Sequence, residues 1–255
     1  MARLMIMTEQ KFERLVRARI DEFAKVQRRN YEQELLMKQA NLSALQSQIN
    51  PHFLYNTLEC IRGQALMEDS PDIAAAAQAL SLFFRYSISG KSDIVTLREE
   101  LENLKNYVAI QSYRFKDRFS LRIDIEDSDT VLDALIPKLT LQPIVENAVV
   151  HGFASTVSGG LVTVSVRLVE PNISILVSDN GKGMDEGTLE RLNRTIRGEG
   201  AEKTSSGKKG TGLGLQNVDK RIKFRYGSEY GLSVQSCLGC GTDVELFIPF
   251  WLTVR

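Results

Sequence analysis

Leu141-Gln-Pro-Ile-Val-Glu-Asn-Ala-Val-Val-His-Gly152 is the stretch on which the fold of this 255-residue chain turns. It predicts a helix from Pro137 to Gly152, on which Asn147 and His151 stand four apart and share a face, with Glu146 beside them. Downstream, an apolar strand from Ile173 to Val177 runs into Asp179-Asn-Gly-Lys-Gly183, and Gly210-Thr-Gly-Leu-Gly-Leu215 opens a helix from Leu213 to Tyr226. Glycine lets backbone N–H groups approach an anion, and a helix N-terminus adds about half a positive charge. Gly210, Thr211, Gly212, Leu213 and Gly214 therefore suit phosphate. Asp179, at a strand end beside Gly181 and Gly183, can accept from the exocyclic amine of a base. Asn147 offers a carbonyl oxygen that suits a hard cation such as Mg2+, held mainly by phosphate oxygens and water. Either glycine cluster alone is an ordinary turn. With the Asn-bearing helix they describe a nucleotide site.

Around these motifs the second half mixes strand and helix. Phe119-Ser-Leu-Arg-Ile-Asp-Ile125 alternates with a period of two, Leu161 to Val169 reads as a strand, and Leu232 to Val234 and Val244 to Ile248 read as closing strands. An α+β domain is expected from about residue 117 to 255. Thr195 to Gly210 contains only Ile196 and Ala201 as apolar residues, which predicts a loop or lid outside the core. Cys237-Leu-Gly-Cys240 has the spacing of half a zinc site without a second pair to complete it, so a turn between strands is expected. Trp251 reads as packing.

The first half is helical. Phe12, Leu15, Val16, Ile20, Phe23 and Val26 recur at spacings of three and four, Leu35, Leu42 and Ile49 at intervals of seven, and no Gly occurs before Gly63. A continuous helix from Thr8 to Met67 would be about 90 Å long. Its stripe cannot be buried by its own chain and predicts pairing with a second copy. Ser70 and Pro71 start a second helix that Ser89-Gly90-Lys91-Ser92 interrupts, giving a hairpin; two hairpins make a four-helix bundle. Thr96 with Glu99 is a capping box for a further helix from Leu97 to about Tyr113.

Composition sets the outer limits: 43% hydrophobic and 25% charged residues make a globular chain. Thirty-two basic residues balance 32 acidic ones, which removes the broad electrostatic case for a nucleic-acid partner. Three cysteines in a chain without a signal peptide point to a reducing cytoplasm, and no apolar run approaches the roughly 20 residues of a membrane span.

The order of Asn-bearing helix, Asp-x-Gly-x-Gly and Gly-x-Gly-Leu-Gly, with a polar lid between the last two, resembles the ATP-binding fold of histidine kinases, gyrase-type ATPases, Hsp90 and MutL. Gln46-Ser-Gln-Ile-Asn-Pro-His-Phe-Leu-Tyr-Asn-Thr-Leu58 is similar to the phosphoacceptor segment of LytS/YesM-type sensor histidine kinases. Leu80 to Ser87, Tyr107 to Phe115, Gln142 to Ala148 and Gly212 to Ile222 continue the resemblance, which covers about residues 35 to 249. It implies a dimeric four-helix bundle with an N-terminal coiled-coil stalk, followed by an α+β sandwich of the histidine kinase/Hsp90-like type. The expected boundaries are 1–34 for the stalk, 35–92 for the dimerisation and phosphotransfer hairpin, 93–116 for a connecting helix and 117–255 for the catalytic domain.

It further implies a protein-histidine kinase that moves the γ-phosphate of Mg-ATP to His52 and then to a response-regulator aspartate, in the cytoplasmic portion of a membrane sensor. His52 is one of two histidines, and an imidazole largely neutral at cytoplasmic pH can attack phosphorus without the activation a serine needs. Pro51 cannot donate to the carbonyl of Ser47, which predicts a kink beside it. Asn56, one turn along from His52, is expected to serve dephosphorylation of the regulator. Two departures from the family pattern matter. Phe53 replaces the acidic residue that often follows the phosphoacceptor, which leaves Glu146 as the candidate base. Val150 replaces a frequent lysine before His151, which moves phosphate neutralisation to Lys208, Lys209 or Arg221. The alternatives are a gyrase-type ATPase, in which water attacks, and a pseudokinase scaffold that holds nucleotide without turnover.

Overall fold

The computed structural model describes residues 51–88, 92–116, 118–126, 129–153, 158–199 and 212–252. The chain divides into two compact units, Met1–His52 and Phe53–Arg255, and of the first only Pro51 and His52 are described. The predicted stalk, the helix N-terminal to Pro51 and the kink at Ser47 lie outside the described residues.

Helix α1 (Pro51–Met67) and helix α2 (Pro71–Ile88) form the expected hairpin, with Pro71 as first helical residue and the carbonyl of Ser70 accepting from Ala74 N–H. Proline suits that position because its missing N–H would have had no intrahelical partner. The hydroxyl of Tyr55 donates to the Phe84 carbonyl at 3.5 Å, and the Arg85 guanidinium lies 5.5 Å from the centre of the Tyr55 ring.

After α2 come strand β1 (Ile94–Thr96) and helix α3 (Leu97–Phe115). The capping box is present: Thr96 Oγ1 accepts from Glu99 N–H at 3.2 Å, and Glu99 Oε2 accepts from Thr96 N–H at 2.9 Å. Strand β2 (Phe119–Ile125), a 3-10 turn (Asp129–Asp133) and strand β3 (Leu135–Pro137) follow. The helix expected over Pro137–Gly152 is shorter: Pro137 ends β3, helix α4 spans Leu141–Asn147, and Ala148–Gly152 widens into a π turn. Pairing of β1 with β3 claims Pro137 for a sheet, a constraint that no local pattern carries.

Strands β4 (Gly160–Val169) and β5 (Asn172–Asp179), helices α5 (Glu186–Arg197) and α6 (Leu213–Tyr226), and strands β6 (Gly231–Cys237) and β7 (Gly241–Pro249) complete the described chain. The sheet order is β2-β4-β5-β7-β6, with β2 and β4 parallel and the other pairs antiparallel. Alternate residues Val162, Val164, Val166, Ile173, Ile175, Val177, Val244, Leu246 and Ile248 are buried in one core with Leu97, Leu101, Leu104 and Tyr107 of α3, Leu141, Ile144 and Val145 of α4, and Val218 and Ile222 of α6. This is a two-layer arrangement in which α3, expected as a connector, packs in the same core as the sheet.

Two expectations change. The predicted lid does not begin at Thr195, because Thr195–Arg197 completes α5 and Ile196 is 4% exposed in the core; α5 ends at Gly198 in a left-handed cap. Cys237 and Cys240 do flank the β6–β7 turn, but they are joined as a disulfide with their Cα atoms 5.3 Å apart, leaving exposed Cys60 as the free thiol. Trp251 packs edge-on against Tyr226, with ring centroids 5.1 Å apart.

Candidate nucleotide site

Four segments meet at one end of the sheet. Strand β5 delivers Asp179 half-buried at its last position, where its Oδ1 accepts from Gly181 N–H at 2.8 Å. Burial pushes the Asp179 carboxyl above the ordinary carboxylate range, with Asp243 adding to it, against N–H bonds from Gly181 and Thr242 that lower it. The loop after it is hooked to the π turn by Lys182 N–H, which donates to the Gly152 carbonyl at 3.1 Å. A Cβ on Gly181 would lie 2.6 Å from that carbonyl oxygen, so the close approach requires glycine. Gly183 has φ of 64°, and a Cβ there would lie 1.9 Å from the Cys237 carbonyl oxygen.

The β6–β7 hairpin holds the loop from its other side. Gly239 N–H donates to the Lys182 carbonyl at 2.7 Å, and Met184 N–H donates to Ser236 Oγ at 2.9 Å. On α4, Asn147 Nδ2 donates to the Pro143 carbonyl at 2.7 Å. That bond fixes the amide plane and leaves the carbonyl oxygen as an acceptor. Helix α6 starts beside it, close enough that a Cβ on Gly214 would lie at van der Waals distance from Pro143 and Asn147, and Gln216 Nε2 ties α6 to the Thr195 carbonyl at 2.6 Å.

Asn147, His151, Gly152, Asp179, Lys182, Gly183 and Gly212 thus line one cavity. Ile144, Ala148, Val177, Met184, Leu192, Leu215, Val234 and Val244 make the rest of the wall apolar, with Thr242 beside them. An apolar slot with one half-buried carboxylate and a few backbone N–H groups suits a flat heterocycle that carries an amine. Among the described residues no three His, Cys, Asp or Glu side chains cluster as a metal site. A hard cation here would take most of its ligands from phosphate and water, with Asn147 supplying a carbonyl oxygen.

Residues 40–119 match the family described as histidine kinase, and residues 133–252 match the histidine kinase-, DNA gyrase B- and HSP90-like ATPases. The chain thus carries a histidine kinase region followed by an ATPase region of that wider family, and it resembles the sensor histidine kinases of the LytS/YesM type. It is 38% identical over 220 residues to the sensor histidine kinase YesM of Bacillus subtilis, covering 86% of this chain and 35% of that protein. It is 34% identical to the sensor protein LytS of Oceanobacillus iheyensis and 36% identical to the sensor histidine kinase YpdA of Escherichia coli. In both cases 84% of this chain and 35% of the relative are covered. The chain therefore spans about a third of the length of these relatives.

The remaining site residues of the chain fall in different places. His52 is exposed in the first turn of α1, with Asn56 exposed one turn on. Glu146 is exposed on α4, outside the cavity lining and close enough to Tyr107 to help raise its phenol, an effect that comes first from burial. Leu213 is exposed at the start of α6. Lys208, Lys209, Gly210 and Thr211 lie outside the described residues. Arg221, expected as a phosphate cation, is committed elsewhere: its Nη1 and Nη2 donate to the carbonyls of Lys138 and Leu139 at 2.8 and 2.7 Å. Among the described residues, Lys182 is the lysine or arginine that lines the cavity. Its signal lay inside the quoted Asp179–Gly183 motif, at the variable position between the two glycines. The apolar wall had no comparable signal, because it is drawn from separate elements scattered along the chain.

Proposed function

We propose that this chain is the kinase portion of a two-component sensor, binding Mg-ATP in the cavity between α4, α5 and α6 and phosphorylating His52. A response-regulator aspartate then takes the phosphoryl group. The observation that carries the reading is the convergence of Asn147, His151, Asp179 and three glycines on one cavity, in a chain whose His52 stands exposed on a helix of its own. Asp179 would accept the adenine amine and Asn147 Oδ1 would ligate Mg2+. Gly212 and Gly214, with Lys182 nearby and Lys208, Lys209, Gly210 and Thr211 from outside the described residues, would face the phosphates. Mg-ATP supplies an electrophilic γ-phosphorus and a stable leaving group.

His52 contributes a ring nitrogen as nucleophile and releases a proton once the N–P bond has formed, and Glu146 is proposed to accept that proton. Asn56, four residues on, would orient water beside a docked aspartyl phosphate and so serve regulator dephosphorylation. Phe53, Ile61, Met67, Ile73 and Leu82, all exposed on the hairpin, give a second copy an apolar face to bury. Residues 1–34, 35–92, 93–116 and 117–255 are proposed as stalk, hairpin, connector and catalytic domain. Among the described residues no helix is long and apolar enough to cross a membrane. The match to a third of longer sensor proteins supports placing this chain as the cytoplasmic portion of a membrane sensor.

The test is incubation with γ-labelled ATP followed by acid or base. A phosphoramidate is lost in acid and survives base, so an acid-labile label that survives base supports the reading. Nucleotide binding without label would replace it with the scaffold reading, and release of phosphate to water without label with the ATPase reading.

A further inference from the structure

Glu100 on α3 is 1% exposed, yet its carboxylate lacks no partner. Oε1 accepts from the N–H groups of Thr140 at 2.6 Å and Leu141 at 2.9 Å; Oε2 accepts from Leu139 N–H at 3.0 Å and from the phenol of Tyr86. A carboxylate at the start of α4 satisfies donors that a first helical turn leaves open and meets the positive end of the helix dipole. Leu139, with φ of 57°, curls the chain so that three successive N–H groups converge on one side chain.

The carbonyls of the same short segment are held from the opposite quarter. Arg221 on α6 donates to Lys138 and Leu139, so the N–H groups of residues 139–141 are fixed by α3 and the carbonyls of Lys138 and Leu139 by α6. Helix α4, which starts here, carries Asn147; α6 carries Gly212 and Gly214 at its beginning. Tyr86 comes from α2, the second helix of the hairpin that bears His52. It reaches Glu100 through its phenol and the segment itself through its ring, over which Lys138 Nζ lies at 4.8 Å. Burial, and then Glu100, hold the Tyr86 phenol far above its ordinary range, so it stays protonated as a donor. Elsewhere the two helices are less well matched: buried Ser81 Oγ on α2 and both amide atoms of Asn103 on α3 have no hydrogen-bond partner among the described residues.

We propose that Tyr86 and Glu100 are positioning residues that couple the phosphoacceptor hairpin to the nucleotide site, through the 138–141 segment and the two helices it anchors. The inference rests on the kinase reading above. Because the Tyr86 contact joins the hairpin to the origin of α4, movement of α2 changes where Asn147 and the start of α6 stand, and nucleotide binding is reported back to α2 by the same route.

The experiment uses the full 255-residue chain as wild type, Tyr86→Phe, Glu100→Gln and the double variant. Tyr86→Phe removes one oxygen remote from the cavity. Its affinity for a fluorescent ATP analogue should stay within about twofold of wild type, while His52 labelling at saturating ATP slows about tenfold or more with KM unchanged. Glu100→Gln should lose both affinity and rate, and adding Tyr86→Phe to it should cost nothing further. Should Glu100→Gln fail to fold, Tyr86→Phe carries the test alone. A wild-type labelling rate in Tyr86→Phe, or a loss of affinity in step with rate, overturns the coupling.

Hydrogen exchange separates this idea from the kinase reading itself. Nucleotide should alter protection within Pro71–Ile88 in the wild type and not in Tyr86→Phe, whether or not His52 is labelled. The same nucleotide-induced change in both proteins overturns the coupling, whereas absence of label in a wild-type chain that shows the change refutes only the kinase reading.

Discussion

The hairpin and the sheet-bearing half bury their apolar residues differently. On α1 and α2 the buried apolar residues are Leu58, Ala65, Ala74, Ala77 and Ala79, while Phe53, Ile61, Leu66, Met67, Ile73 and Leu82 are exposed. From α3 onward, Leu97, Leu104, Ile136, Leu141, Ile175, Ile222, Leu246 and Ile248 are fully buried. Burying an alanine removes a few tens of Å² from water, whereas a buried leucine or isoleucine contributes about 1.5–3 kcal/mol. The sheet-bearing half thus carries its own driving force for folding. The hairpin leaves large apolar side chains exposed, and His52 is exposed on the same helix as Phe53, Ile61, Leu66 and Met67. On the proposed function, the nucleotide site would be built by one chain and the acceptor helix finished by assembly.

The sharpest break would come from His52→Gln. If acceptor and cavity are separate pieces, the acid-labile label should fall to background while the nucleotide Kd stays within about twofold, measured by labelling and by titration of a fluorescent analogue. Loss of binding as well would merge the two regions.

Assembly comes next. Ile61→Glu combined with Leu82→Glu places four carboxylates in a symmetric interface, and dimer dissociation should rise on the order of a thousandfold. The melting temperature and nucleotide affinity of the sheet-bearing half should hold. Sedimentation equilibrium decides it, and an unchanged dimer would show that the exposed hairpin residues are not the interface. A cut after residue 116 is a poor substitute for this variant, because it would strip Leu97, Leu101 and Leu104 of α3 from the core they share with the sheet.

Asp179→Asn sharpens the comparison within the preformed site. Nucleotide affinity should drop about 10- to 100-fold, the range expected when a hydrogen bond to a charged acceptor is lost. Stability should move the other way. The raised pKa means that the folded state binds the proton more tightly than the unfolded chain, so ionisation penalises folding at neutral pH. The penalty is complete above the folded pKa and vanishes below the unfolded value of about 3.9. Nucleotide-free Asp179→Asn should therefore melt higher at pH 7, by about 2 °C at most because solvent screens a half-exposed carboxylate, with the gain shrinking on acidification. Calorimetry at pH 7 and pH 4.5 checks the sign, and a lower melting point at pH 7 would contradict it.

The smallest effect is expected from Asn56→Ala. Labelling of His52 should persist, while the lifetime of phospho-regulator lengthens about two- to fivefold in a mixture with the kinase, a modest contribution for a residue that orients water. An unchanged lifetime would leave Asn56 as a surface residue of α1.

Much of the architecture was legible. The alternation of Phe119–Ile125, the boundaries of Leu213–Tyr226, the Thr96/Glu99 box and the Pro71 start were read correctly, because each is set within a few residues by periodicity or capping. Helix α5 was missed although its signals were present: Asp185 caps it through Thr188 N–H, and Gly198 ends it in a left-handed conformation. The polar composition after Thr195 drew the loop boundary too early, and burial of Ile196 overrides composition there.

The sequence by itself singled out Asn147, His151, Asp179, Gly183 and Gly212, which line one cavity. Their roles depend on local chemistry: a carboxylate at a strand end, glycines where a Cβ cannot fit, an amide on a short helix. Only the tertiary structure decided what those residues face and what holds them. It gave Pro137 to a strand by pairing β3 with β1, opened Ala148–Gly152 into a π turn, drew Arg221 to the carbonyls of Lys138 and Leu139, and brought Lys182 to the cavity. The physical reason is range. Conformational preference is fixed by neighbours along the chain, whereas hydrogen-bond partners and burial are fixed by segments as distant as Ala134 and Leu252, or Leu97 and Ile248, that meet only when the core closes.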